Sequence, residues 1–346
     1  MNKYLEPQKR ELIFEESGLF KICHASNICA LQDGSLIAGW FGGEREGSDD
    51  IAIYASRYID NKWTEPMRIA HDIEEPHWNP VFYQAAAGRV HLFYKVGRQI
   101  REWYTMHRVA ENPGDDFKLI GELVPGDRGG RGPVRCKVIT LSDGSMLAGA
   151  STEGNIWTAY ADRSEDGGKT WTFSNPIQIG VEYHGERTTQ NSDIQVSEQS
   201  FYGRGVIQPT LWESEAGIVH MLLRSTEGVL YRSDSRDYGK TWCEAYPTEL
   251  PNNNSGIDIA RFDDGMLVLC MNPVGQNWGP RTPIVLKVST DNGKTWEDEC
   301  ILEDIPGEYS YPSIIVKGDK LYVTYTYDRK SIAFWQFQRK EEQQSW

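Results

Sequence analysis

LSDGSMLAGA, residues 141–150, is a Gly turn that runs straight into an apolar strand, and the chain repeats that phrase five more times. The copies are LQDGSLIAGW (31–40), AAAGRVHLFY (85–94), SEAGIVHMLL (214–223), FDDGMLVLCM (262–271) and VKGDKLYVTY (316–325). Anchored on Gly34, Gly88, Gly144, Gly217, Gly265 and Gly318, the gaps are 54, 56, 73, 48 and 53 residues. Each gap has room for one four-stranded sheet, and repeated sheets bury their faces by stacking on their neighbours. The reading is an all-β fold, a six-bladed β-propeller spanning residues 1–346 as a single domain.

A second phrase recurs inside the first, as SEDGGKTW (164–171), SRDYGKTW (235–242) and STDNGKTW (289–296). It follows its Gly anchor by 18 to 24 residues, so it holds the same place in each repeat. Its Asp can cap backbone amides, its Gly can supply a positive φ, and its Trp opens the next strand. The box is therefore a turn and not a catalytic element. ASRYIDNKW (55–63) is a decayed copy that keeps Asp60 and Trp63. No long apolar stripe of helical period occurs, so helix should be scarce. The polar stretch 181–205 and GDRGGRGPVR (126–135) read as elaborated loops.

Lys and Arg total 36 against 50 Asp and Glu, a net charge of −14, which argues against nucleic acid or an anionic membrane as partner. An anionic ligand must then be held by a local arginine cluster. The six cysteines show no metal-ligand spacing and read as free thiols. No cofactor or metal is expected. The first residues lack an apolar signal core, so the expected location is cytoplasmic, or secreted if a leader was trimmed. The sequence leaves the oligomeric state open.

The repeats and boxes together resemble the sialidase (neuraminidase) superfamily with its BNR or Asp-box repeats, over nearly the whole chain. HASNICALQDGSLIAGWFGGEREGSDDIAIYASR, GVIQPTL, LLRS, NNNSGID and EYSYPSII are most similar to the bacterial branch of predicted neuraminidases. The resemblance implies a glycan substrate, an arginine triad for its carboxylate, a Tyr nucleophile with a Glu partner, and an Asp acid/base. Arg281 lies eight residues before Ser289, as the family's third arginine does. Tyr309 fits the nucleophile phrase, with Tyr311 as its neighbour. Glu213 takes the place of the Glu partner, and Asp49, with Asp50 next to it, that of the acid/base. The first family arginine is replaced here by CHAS, which puts His24 or Ala25 in its position. The second falls on Leu230, with Arg224 and Arg232 close by and Arg131 and Arg135 as further candidates.

A Tyr nucleophile suits an anomeric carbon that carries a carboxylate, because a neutral attacker avoids the repulsion an anionic one meets. Bidentate Arg contacts supply geometry as well as charge. Lys137, Gln208 and Asn254 are further candidates for sugar contacts beside the strands, as are Trp40, Trp78 and Trp278 for stacking. These residues lead to an exo-acting glycoside hydrolase of sialidase type that removes a terminal acidic sugar. Two alternatives stand beside it: a polysaccharide lyase or other uronate-glycan enzyme using His24 and a Tyr, and a non-catalytic carbohydrate-binding propeller.

Overall fold

The computed structural model describes residues 2–154, 156–180 and 198–340. Strands follow one another as antiparallel meanders. The first meander is Ile22–Ala30, Leu36–Gly43, Ala52–Ile59 and Met67–Ala70, with the short Lys62–Trp63 beside it. The second is His77–Gln84, Val90–Val96, Tyr104–Ala110 and Lys118–Glu122, and the third Ile139–Thr140, Met146–Glu153, Ile156–Ser164 and Thr172–Phe173. The fourth is Arg204–Glu215, Ile218–Ser225, Val229–Ser235 and Tyr246–Pro251, and the fifth Asp258–Arg261, Leu267–Met271, Ile284–Ser289 and Glu297–Glu303. Tyr309–Lys317, Lys320–Tyr327 and Ser331–Arg339 make the sixth, and its outer strand is Leu5–Leu12 from the other end of the chain. A short parallel pairing, Ile156 with Arg204 and Trp157 with Gly205, links the third and fourth meanders into one larger sheet.

Every repeated glycine sits where its phrase requires it. Gly34, Gly88, Gly144, Gly217, Gly265 and Gly318 all have positive φ, and each lies between the first two strands of a meander. The three eight-residue boxes fill the third-to-fourth connection in three meanders. In the box at 164–171, Asp166 accepts the Lys169 and Thr170 amides and the Thr170 hydroxyl, while Trp171 Nε1 donates to Gly168 O. Asp291 makes the same three contacts and Asp237 two of them. These bonds hold the Asp166 and Asp291 carboxyls down at about 2.

Successive meanders share apolar cores. Phe41 and Ile53 of the first meet Phe82 and Leu92 of the second. Val81 and Phe93 meet Met146 and Ala148, and Leu147 and Ala161 meet Val219 and Met221. Leu222 and Leu230 meet Leu267 and Leu269, and Val268 and Leu286 meet Ile314 and Val323. Ile332 and Phe334 of the sixth pack on Ala38 and Trp40 of the first. Trp40 and Trp78, expected as stacking faces, are spent in these cores. The first strand of the fourth meander approaches the second strand of the third so closely that a Cβ on Gly149 would collide with the carbonyl of Pro209.

Helix is confined to Glu198–Tyr202 and one 3-10 turn at Ile100–Glu102 among the described residues. The rest of the loop expected from 181 lies outside them up to 197. The loop 126–132 is clamped from beneath: Lys95 Nζ donates to the carbonyls of Gly130 (2.9 Å) and Arg131 (2.7 Å), and Asp162 accepts from Arg131 Nε (2.8 Å) and Gly132 N (2.6 Å). Burial drives the Lys95 ammonium down to about 7. Cys23, Cys136 and Cys270 are buried free thiols, Cys29 and Cys300 are half-buried, and Cys243 is exposed. No described helix is long and apolar enough to cross a membrane.

Candidate active site

Four first strands break their ladder at the same place, the end opposite the Gly turn. The register shifts between His24 and Asn27, Trp78 and Val81, Ile207 and Thr210, and Ser310 and Ser313. Within each break one residue takes a left-handed φ: Ala25 (58°), Asn79 (46°), Gln208 (53°) and Tyr311 (53°). Asn254 (58°), just ahead of Asp258–Arg261, does the same. A side-chain-bearing residue adopts this conformation at a cost, so its recurrence marks a place where the strand re-aims side chains.

Tyr311 is the centre of what these bulges gather. Arg224 donates to its hydroxyl at 2.7 Å, and the guanidinium carbons of Arg135, Arg224 and Arg281 lie 5.5, 5.7 and 5.3 Å from its ring centre. His24 packs on the same ring, with centroids 4.2 Å apart. Gln208 Oε1 (3.2 Å) and Asn254 Oδ1 (2.7 Å) accept from Arg224, which also stands over the rings of Trp157 and Trp278. Arg135, fully buried, crosses to the far side by donating to Pro312 O (2.8 Å) and Ile257 O.

The charges are unevenly matched. Arg281 pairs with Glu308 at 2.6 Å, and Arg329 bridges Glu308 (2.8 Å) to Glu46. Burial would raise the Glu308 carboxyl, but Arg281 and Arg329 outweigh it and hold it below the ordinary value. Among the described residues Arg135 and Arg224 have no carboxylate within ion-pair distance, although the charge of Arg224 is felt at Glu153. His24 is driven well below the usual imidazole range, first by burial and then by Arg329, Arg281, Arg135 and Arg224. It is therefore neutral at physiological pH, and its buried Nδ1 has no hydrogen-bond partner among the described residues.

Of the residues expected from sequence, His24, Arg135, Arg224, Arg281, Gln208, Asn254 and Tyr311 come together here. Tyr309 does not. The bulge after Ser310 turns Tyr311 into the cluster and leaves the Tyr309 ring in the core with Tyr327, 5.1 Å between centroids. Glu213 lies at the other end of its strand, beside the Gly217 turn, where it accepts from Ser142 N (2.7 Å), Ser142 Oγ (2.9 Å) and Gly217 N (2.9 Å). It clasps two meanders, as Gln84 does by accepting from Gln32 N at 2.6 Å. Asp49 is exposed and paired with Arg98 at 2.8 Å, and Asp50 caps its own loop through Glu44 N (2.8 Å) and Ser48.

Lys137 is bound to Asp258, 2.8 Å to each oxygen, and that fully buried carboxylate also accepts from Thr210 Oγ1 (2.6 Å) and Ile314 N (2.9 Å). The pair locks four successive meanders together, and both its charges are spent within the fold. Glu308, Arg329 and Glu46 were missed by sequence reasoning, since each reads as an ordinary loop charge. A signal for three of the bulges was present: Ala25, Asn79 and Gln208 each stand nine residues before a repeated glycine, whereas Tyr311 stands seven before Gly318.

The chain belongs to the family of BNR repeat-like domains, which matches it over residues 34–323. Its fold is similar to that of a Dyadobacter fermentans protein described as of unknown function (14% identity, TM-score 0.75, covering 97% of this chain and 99% of that one). It is also similar to the NanB sialidase of Streptococcus pneumoniae (13%, TM-score 0.68, 97% and 71%). Trypanosoma rangeli sialidase bound to the inhibitor DANA is similar as well (14%, TM-score 0.69), over 95% of this chain and 59% of that one. No curated protein matches at the level of sequence.

Proposed function

We propose that the six meanders are the blades of one closed six-bladed β-propeller, a single domain, and that it cleaves the glycosidic bond of a terminal acidic sugar in the manner of a sialidase. Support for the ring comes from the shared core of the sixth and first meanders and from the Leu5–Leu12 strand that completes the sixth. The observation that carries the activity is the convergence of Arg135, Arg224 and Arg281 on Tyr311. Arg224 and Arg281 are the residues to hold the sugar carboxylate, while Arg135, tied to backbone carbonyls, supplies field and rigidity. Tyr311 is the nucleophile in place of Tyr309. Arg224 donates to its hydroxyl and fixes the attacking oxygen, and neutral His24, packed on the same ring, is the base. Asp49, expected as the acid to the leaving oxygen, is exposed and held by Arg98 away from the cluster, so that role is not assigned to it.

A second reading is β-elimination beside a uronate, favoured by one observation: a neutral imidazole packed against a phenol, with no carboxylate hydrogen-bonded to that phenol among the described residues. Arginines that neutralise the uronate would acidify its α-proton, and His24 and Tyr311 would serve as base and acid. Incubation with sialosides, uronides and rhamnosides, read both as reducing sugar and as ultraviolet absorbance, separates the two. New reducing ends without absorbance support hydrolysis, and absorbance from an unsaturated product supports elimination. Binding without cleavage of any of them overturns both.

A further inference from the structure

At the opposite end of the Arg204–Glu215 strand, away from Tyr311, a second polar cluster is assembled. Ser214 Oγ lies 2.8 Å from His220 Nε2, and His220 Nδ1 lies 2.5 Å from Asp234 Oδ1. Strand register produces the alignment, because His220 is paired with Trp212 on one side and with Asp234 on the other. Each member is held in place. Trp212 stacks on the imidazole at 5.0 Å, Tyr246 OH donates to Asp234 Oδ2 at 2.6 Å, and Arg232 Nε donates to Asp234 Oδ1 at 3.0 Å. Asn292, from the box of the next meander, accepts from Trp212 Nε1 through its Oδ1 at 2.8 Å. That contact turns Asn292 Nδ2 toward His220 Nε2, 3.1 Å away and on the serine's side of the ring. His220 is buried, whereas Ser214, Asp234 and Asn292 are partly exposed.

We propose that Ser214, His220 and Asp234 form a nucleophile, base and orienting carboxylate that hydrolyse small carboxylic esters, with Asn292 Nδ2 as donor to the oxyanion. The distances are those that the serine-nucleophile arrangement requires, and such arrangements are recognised by geometry and not by chain order. Ser214 Oγ attacks the ester carbonyl as its proton passes to His220 Nε2. The bond to the alcohol oxygen breaks, and the imidazolium returns that proton to the departing alkoxide. Water then gives a proton to His220 and attacks the acyl-serine, which releases the acid and restores the hydroxyl. Asn292 donates to the carbonyl oxygen as it becomes charged in each half-reaction.

Two features set the scale. Ser214 is followed by the exposed Glu215 and Ala216, which open it to solvent, so a small acetyl ester is the substrate to offer it. Arg232 NH2 also lies 2.9 Å from His220 Nδ1, so Asp234 must offset a guanidinium as well as stabilise the imidazolium. The expected turnover is slow.

A cluster that only braces the two meanders would have an unreactive serine. The test treats the intact protein with a fluorophosphonate probe, locates the adduct by peptide mass spectrometry, and measures p-nitrophenyl acetate hydrolysis beside Ser214→Ala. Expected are an adduct on Ser214, none in the variant, and a loss of esterase rate in the variant of about a hundredfold or more, the scale of general-base catalysis. Thermal melting of the variant should match the parent. An unlabelled Ser214 in the folded protein, or equal esterase rates in parent and variant, overturns the proposal.

Discussion

Asp258→Asn tests the lock beneath the candidate site. The carboxylate is fully buried, and everything around it is a donor: Lys137 Nζ, Thr210 Oγ1, Ile259 N and Ile314 N. An amide of the same shape sets its own N–H₂ against one of those donors and leaves the Lys137 ammonium, itself only 16% exposed, without a counter-charge. Breaking one partner of a buried pair costs about 3–5 kcal/mol. With an unfolding entropy of about 2.1 cal/mol/K per residue, 346 residues give about 0.7 kcal/mol/K, so the melting temperature should fall by about 4–7 °C. Differential scanning calorimetry reads this directly. Adding Lys137→Met should recover part of the loss, because the stranded charge is removed with its partner. A fall below about 1 °C, far under the buried-pair scale, would show that the hub is not holding the four meanders.

Tyr311→Phe should lower turnover on the cleaved glycoside by about a thousandfold, whereas Tyr309→Phe should leave it within about twofold, in steady-state kinetics. The reverse order would return the nucleophile to Tyr309. Glu213→Gln should leave cleavage unchanged and cost about 1–3 kcal/mol in urea unfolding, since the clasp to Ser142 and Gly217 loses a charged acceptor. Burial lowers His77 to about 4 and His107 to about 3, so both stay neutral in the folded chain while the unfolded chain protonates them near 6.5. The unfolded state then binds more protons as pH falls, and each should remove about 1.4 kcal/mol of stability per pH unit below 6.5 until its folded pKa is reached. Melts at stepped pH check this, and His107→Phe should flatten the slope.

The Gly phrases made the strand order legible, because a turn that needs positive φ leaves a mark no other residue can make as cheaply. Each of the six lies in the first hairpin of a meander. His24 and Arg281 were legible through motif position. Tyr311 was named only as the neighbour of Tyr309, which fits the family phrase; alternation along a strand would put 309 and 311 on one face, and a bulge breaks that rule without altering composition. Glu213 misled for a related reason: a carboxylate before a Gly turn satisfies a motif and a clasp equally well, and only the end of the strand it occupies tells them apart. The ion-pair chain from Glu46 through Arg329 to Arg281 joins residues from opposite ends of the sequence, beyond the reach of any local pattern.

The pairing of Leu5–Leu12 with Ser331–Arg339 has a consequence for synthesis on the ribosome. Leu5–Leu12 emerges more than 300 residues before Ser331–Arg339, which at about 5–20 residues per second is a wait of roughly 15–65 s. Loop-closure entropy grows only with the logarithm of length, so the distant partner is a thermodynamically ordinary one. The delay is kinetic. Through it, the nascent chain presents unsatisfied strand edges at both ends of its growing array, where the matching strand of a second nascent copy on the same message can dock first.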